Sequence, residues 1–192
     1  KEAITKIGRP RLANCYYCQR SRRYDDFLRG DIHPVFDPQK AGGALMDLNL
    51  YNIHALVGLF GAPQRVDYHA NIERGIDLSG VLALDYGDFQ AAALAAKDCS
   101  SPGESVFMGD EGMLLADLRR LNGYTLITRT GERQEVQLAE DHAHRLLEEF
   151  LVFKDMIKKK DLATADRLME ASLTVSGIIE TARRQAGIVF PG

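Results

Sequence analysis

Residues 37–54 read DPQKAGGALMDLNLYNIH, and residues 59–63 close the run as LFGAP. From about Gly42 to Phe60 the apolar positions recur at helical spacing, and Gly61-Ala62-Pro63 is a stop that no helix continues through. At about 100° per residue, Asp47, Tyr51 and His54 share one narrow stripe. Met46, Leu50, Ile53, Val57 and Phe60 fall on one flank, and Leu48, Ala55 and Leu59 on the other. A helix apolar over most of its circumference is expected to be largely buried. A carboxylate on such a helix is costly unless bonded or paired. Two readings of the stripe stay open from geometry alone: a polar network that pins the helix to a sheet, or a chemical site.

The sequence on either side of this helix differs from it. Upstream, residues 9–20 read as a strand, followed by a turn-rich loop through Gly30-Asp31, Pro34 and Asp37-Pro38. Downstream, short β-type segments are predicted at Arg65–Ile72, Leu78–Tyr86, Phe89–Ala96, Ser105–Met108, Met113–Leu115, Tyr124–Thr130 and Arg133–Leu138. Tyr86-Gly87-Asp88 and Thr130-Gly131-Glu132 have the chemistry of hairpin turns. Strands that follow one another without helices between them imply a mostly antiparallel sheet. Two helices, His142–Lys159 and Ala163–Ala186, close the chain. The fold class is therefore α+β, an open mostly antiparallel sheet with helices packed on one face. Residues 1–8 carry Ile4 and Ile7 at helical spacing before Gly8 and read as the last turns of a helix begun upstream.

The chain has 192 residues with 24 Lys+Arg against 27 Asp+Glu. That balance argues against a dedicated nucleic-acid binder. No apolar run approaches the roughly 20 residues of a membrane span, and a cytoplasmic location is expected. The first forty residues carry a local surplus of +4, with Arg20, Arg22 and Arg23 among them. It reads as a solvated face, or as the border of a phosphate-bearing cofactor held elsewhere. Three cysteines make no disulfide framework. Cys15 and Cys18 form a C-x-x-C, but on a strand they point to opposite faces, so they are expected to be structural thiols. No metal site is expected: His142 and His144 diverge on a helix and do not chelate. No G-x-G-x-x-G, P-loop or G-x-S-x-G sequence occurs.

The helix motif, the Gly61 stop, residues 79–88 (SGVLALDYGD), residues 106–114 (VFMGDEGML) and Gly8-Arg9-Pro10 together resemble one family in order along the whole chain. It is the glucose–fructose oxidoreductase/inositol dehydrogenase/rhizopine catabolism (Gfo/Idh/MocA) family, and the resemblance is to its second domain. Asn49 stands where many members have Gly, on the packing side of the helix, and Ala41 stands where a third Gly is common.

The resemblance implies that residues 1–192 are the C-terminal substrate-binding and oligomerisation domain of an oxidoreductase that uses NAD or NADP. The Rossmann domain that binds most of the dinucleotide would lie upstream, and the isolated fragment is expected to be inactive. Tyr51 takes the position of the acid/base residue and Asp47 the position that supports it. Tyr51 is also the one contact to the nicotinamide expected within this fragment. The implied substrate is a sugar, polyol or related hydroxy compound, with His54, His33, Phe36 and Lys97 as candidate cleft residues. The free sheet face would make a homo-oligomer contact. Moving a hydride from an alcohol carbon also requires moving the hydroxyl proton. A phenol, with a reference pKa near 10, does this at neutral pH only with a cation nearby. His54 remains the rival for that proton, and a non-enzymatic NAD(P)-binding regulator or an oligomerisation module are the alternative functions.

Overall fold

The computed structural model of the chain describes residues 2–120, 122–138 and 146–190. Eight strands form one sheet: β1 (Pro10–Cys18), β2 (Arg65–Glu73), β3 (Ile76–Asp85), β4 (Gln90–Ala96), β5 (Glu104–Gly109), β6 (Gly112–Asp117), β7 (Gly123–Thr128) and β8 (Arg133–Gln137). Their spatial order is β2-β3-β4-β1-β5-β6-β7-β8. Every neighbouring pair is antiparallel except β1 with β4, which run parallel because the helical segment carries the chain away before β2–β4 return beside β1. The α+β expectation, with a mostly antiparallel open sheet, holds. Strand ends differ from the predicted ones by a residue or two. The predicted start of the first closing helix, with His142 and His144, lies outside the described residues. Its described part is α4 (Leu147–Lys159), and α5 (Leu162–Gln185) follows.

Two short helices precede the sheet's main run, α1 (Glu2–Thr5) and α2 (Arg22–Arg29). The sequence reading had no element at Arg22–Arg29. Its signals are local: Ser21 precedes it in extended conformation, Asp25 and Arg29 match the helix dipole, and Gly30 ends it at φ 99°. Two 3₁₀ turns, Pro34–Phe36 and Pro38–Lys40, follow. The predicted Gly42–Phe60 helix is corrected in one respect. It begins as a π-helical turn over Leu45–Asn49 and becomes α-helical only from Leu50, as α3 (Leu50–Phe60).

The hydrophobic core lies between one sheet face and the helices α3 and α5. Leu45, Ile53, Leu56 and Val57 meet Ile178, Ile179 and Ala182 above Cys15, Leu82, Leu84 and Ala93 of the sheet. Each such aliphatic side chain contributes about 1.5–3 kcal/mol when fully buried. The edge strand β2 is covered by α5: Gln185 Nε2 donates to Val66 O (2.9 Å) and its Oε1 accepts from Tyr68 N (3.2 Å). That occupies main-chain groups which would otherwise invite another strand.

The second sheet face carries no helix among the described residues. Register pairs bring Tyr16 beside Leu94, Leu94 beside Val81, Leu12 beside Met108, and Met108 beside Met113 on this face. Leu12, Val81 and Met113 are exposed. The outer strands are polar on the same side, with Asp67 and His69 on β2 and Arg133 and Glu135 on β8. The face is an apolar band between charged margins. Cys15 and Cys18 are both buried, and their register partners Ala93 and Ala96 lie on opposite faces. Burial pushes the Cys15 thiol up to about 12, which leaves it unreactive.

Candidate functional site

The site is built on an anchor at the start of the helical segment. Gly43 adopts φ +138°, and a Cβ there would lie 2.1 Å from Asp77 Oδ1. A Cβ on Gly42 would lie 2.7 Å from Asp37 N. Only glycines allow the chain to press against both the 3₁₀ turn and the buried Asp77. Asp77 Oδ2 accepts hydrogen bonds from Leu45 N (2.6 Å) and from Tyr68 Oη (2.6 Å), so a carboxylate serves one of the N–H groups of the helix start. Burial raises the Asp77 carboxyl above its ordinary range, against the opposing pull of Tyr68, Leu45 and the Lys97 charge. The Tyr68 phenol is driven up as well, by burial first and by the neighbouring carboxylate second. Asp77 was absent from the sequence reading. A β-bulge, where the register shifts between Asn71 and Ile72, lets successive residues Asp77 and Leu78 both be buried, so the two-residue strand period hides it.

Beyond the anchor, the helix is pinned to β4 by two asparagines. Asn49 Nδ2 donates to Ala93 O (3.1 Å), and Asn52 Nδ2 donates to Leu94 O (3.0 Å) and Asn49 Oδ1 (2.9 Å). The packing side expected for Asn49 is observed. The pinning network therefore lies opposite the Asp47–Tyr51–His54 stripe. That stripe is not buried, contrary to expectation, because the apolar flank and the asparagines already fill the sheet-facing side.

On the stripe, Asp47 Oδ2 accepts a hydrogen bond from Lys97 Nζ. The Lys97 side chain, just past the end of β4, is only 4% exposed, whereas that of Asp47 is 40% exposed. The ammonium also lies 5.0 Å from the Phe36 ring centroid. Tyr51 is 48% exposed, and its ring stacks on Tyr17 with centroids 5.1 Å apart. His54 is exposed one turn further on, and partial burial of its ring holds its pKa below the ordinary histidine value.

A cavity of about 310 Å³ opens beside Asp47. Asp47, Leu48, Phe36 and Lys97 line it. Arg22 and Arg23 at the start of α2, with Gln19 and Ser21, line it as well. The structure thus brings Asp47, Phe36 and Lys97 together. Tyr51 and His54 stand on the open helix face outside the cavity wall, and His33 is not in the wall either. Its Nε2 lies 2.8 Å from Asp26 Oδ2 on α2. Arg22 and Arg23 entered the sequence reading only as part of a charge surplus; α2 is what places them at the cavity that Asp47 also lines. Among the described residues no cluster of three or more His, Cys, Asp or Glu could hold a metal ion. No helix of the described residues is long and apolar enough to cross a membrane.

Fold and site together define a class: a helix-backed open sheet whose Gly-Gly-anchored helix carries an acid and a phenol one turn apart. The sequence matches the GFO/IDH/MocA C-terminal domain over residues 2–115. It is 33% identical to the scyllo-inositol 2-dehydrogenase (NADP(+)) IolU of Bacillus subtilis (strain 168), over 100% of this chain and 58% of that protein. Among solved structures it is similar to the UDP-N-acetylglucosamine 3-dehydrogenase GnnA of Acidithiobacillus ferrooxidans (TM-score 0.69, 15% identity, 97% of this chain and 57% of that one). It is also similar to an inositol dehydrogenase homolog of Azotobacter vinelandii solved with NADH and myo-inositol (TM-score 0.67, 11% identity, 95% of this chain and 57% of that one). The chain belongs to the Gfo/Idh/MocA family of oxidoreductases. It spans somewhat more than half the length of the relatives it matches.

Proposed function

We propose that this chain is the substrate-side domain of an NAD(P)-dependent dehydrogenase acting on a polyol, sugar or related hydroxy compound, completed by a Rossmann domain upstream. The observation that carries the reading is the pairing of an Asp47 held by Lys97 with an exposed Tyr51 one turn along the same helix. The similarity to a scyllo-inositol dehydrogenase along the whole chain supports the substrate class. No glycine-rich turn joins a strand to a helix among the described residues, since β1 passes into α2 through Gln19-Arg20-Ser21. In this reading the upstream domain seats the dinucleotide phosphates, and this chain's share of the cofactor is the nicotinamide side of the cleft.

In this reading the nicotinamide supplies hydride transfer, and the chain's own residues supply the proton and the positioning. Tyr51 Oη takes or gives the substrate hydroxyl proton, its ring held in orientation by stacking on Tyr17. Asp47, fixed by Lys97, orients the substrate hydroxyl groups at the cavity mouth. Assaying the parent protein, with its upstream domain, for NAD(P)⁺-dependent oxidation of inositols and hexitols tests the reading. Turnover that depends on Tyr51 is expected. Absence of turnover on every polyol and sugar tried, with NAD(P)H still bound, would favour a regulator instead. The 192-residue chain alone is expected to show no micromolar affinity for NAD(H) or NADP(H) by calorimetry.

A further inference from the structure

We infer that the cavity beside Asp47 selects a substrate with an anionic substituent, a carboxylate or a phosphate, through Arg22 and Arg23. The inference rests on the dehydrogenase reading above and deepens it by naming the substrate's charge. It follows from how the charges around the cavity are answered. Lys97 and Asp47 neutralise each other. The carboxylates of α2 are engaged by other groups: Asp25 by Arg20, and Asp26 by both Arg29 and His33. Among the described residues neither Arg22 nor Arg23 has a carboxylate within ion-pair distance, and Arg22 senses Asp26 only through space. Among the described residues, two guanidinium side chains without a paired carboxylate thus border a cavity of about 310 Å³, beside the acid that orients the substrate hydroxyl groups.

A surface arginine pair alone would mean little. This pair shares a concave site with two neutral hydrogen-bonding residues, Gln19 and Ser21, and with the Asp47–Lys97 pair. Guanidinium groups, even on exposed residues such as Arg22 and Arg23, bind carboxylates and phosphates through paired hydrogen bonds. A cavity of this size suits a molecule of about six carbons with one charged end. Its hydroxyl-bearing end would meet Asp47 and its anionic end the two arginines. The nucleotide phosphate is the other source of such an anion. The substrate is preferred because Asp47 lines the same cavity.

The test is titration of the 192-residue chain with sorbitol 6-phosphate, D-gluconate and sorbitol, followed by NMR or calorimetry, with NADP⁺ as a further arm. The expected result is binding of both anions about 10- to 100-fold tighter than sorbitol, the scale of one or two charge-assisted contacts. In Arg22→Gln/Arg23→Gln that preference should collapse towards unity, while Arg22→Lys/Arg23→Lys should retain most of it and Arg133→Gln, on the outer strand β8, all of it. Anions binding no tighter than sorbitol, or binding that ignores both arginines, would overturn the inference. So would Arg22- and Arg23-dependent binding of NADP⁺ without binding of either sugar anion, which would assign the pair to the nucleotide. A parent protein that oxidises neutral polyols and disregards their anionic counterparts overturns this inference alone. Anion binding as expected, with no hydride transfer by the parent protein, overturns the dehydrogenase reading alone.

Discussion

The carboxylate of Asp47, on the helical segment, holds the ammonium of Lys97, fifty residues later at the end of β4, in a pair whose cation is buried and whose anion is open to water. The asymmetry makes the two partners unequal. Asp47→Asn leaves a buried ammonium without its counter-charge and should destabilise the fold by about 1–3 kcal/mol. Lys97→Met leaves a carboxylate that water can reach and should cost less. Urea midpoints of the two variants decide the order, and equal losses would contradict it.

Tyr51→Phe in the parent protein should lower kcat by roughly 10²–10⁴, the usual scale for losing general acid–base catalysis, with cofactor affinity little changed. His54→Ala should cost less and act mainly on KM. Normal turnover in the Phe variant together with a dead Ala variant would transfer the proton to His54.

The buried Asp77 predicts a pH dependence of definite sign. Its carboxyl is raised in the folded state, chiefly by burial, so the folded chain holds that proton more tightly than the unfolded chain. The contribution is present below the unfolded value and lost as pH rises through the folded one. Relative to Asp77→Asn, the wild-type chain should therefore gain stability as pH falls from 7 towards 4. The difference between the two matters, because carboxylates held below their ordinary range, such as Asp110 and Asp117, weaken both proteins in acid. A difference that is flat or falls with acidity would show that Asp77 is not raised.

Two glycines at opposite ends of the helical segment should respond in opposite directions. Gly43→Ala forces a Cβ onto the Asp77 carboxylate at a positive φ and should destabilise by at least about 2 kcal/mol. Gly58→Ala, inside α3 with open space around it, should stabilise by up to about 1 kcal/mol. Thermal unfolding of each variant suffices.

The apolar band on the second sheet face should bring copies of the chain together. Leu94→Glu, placed in its middle beside Val81 and Tyr16, should shift sedimentation towards the monomer. A wild-type chain that is monomeric at high micromolar concentration would refute the contact.

Much of this architecture was legible residue by residue. Period-two alternation and the turn chemistry of Gly87 and Gly131 located the strands. The three-residue spacing of Cys15 and Cys18 placed them on opposite faces, and helical phase put Asn49 on the packing side. Interactions made at a distance were not legible. Nothing local to Lys97 tells that its partner is Asp47, and nothing local to Asp77 tells that a bulge turns it inward. The missed helix α2 is different, since Ser21, Asp25, Arg29 and Gly30 spelled it out and only the surrounding turn formers obscured it.

The π-helical turn at Leu45–Asn49 makes the length of this segment as consequential as its composition. Removing one residue there would let the backbone relax into an unbroken α-helix, and every side chain would still be present. Yet everything upstream would swing by about 100° about the helix axis relative to Tyr51. Depending on which end yields, either the glycines leave Asp77 or the acid leaves its lysine. A single-codon deletion is thus predicted to silence the domain where most single substitutions would only weaken it. Alignments that open a gap within these five residues would mark chains in which the acid and the phenol no longer work as a pair.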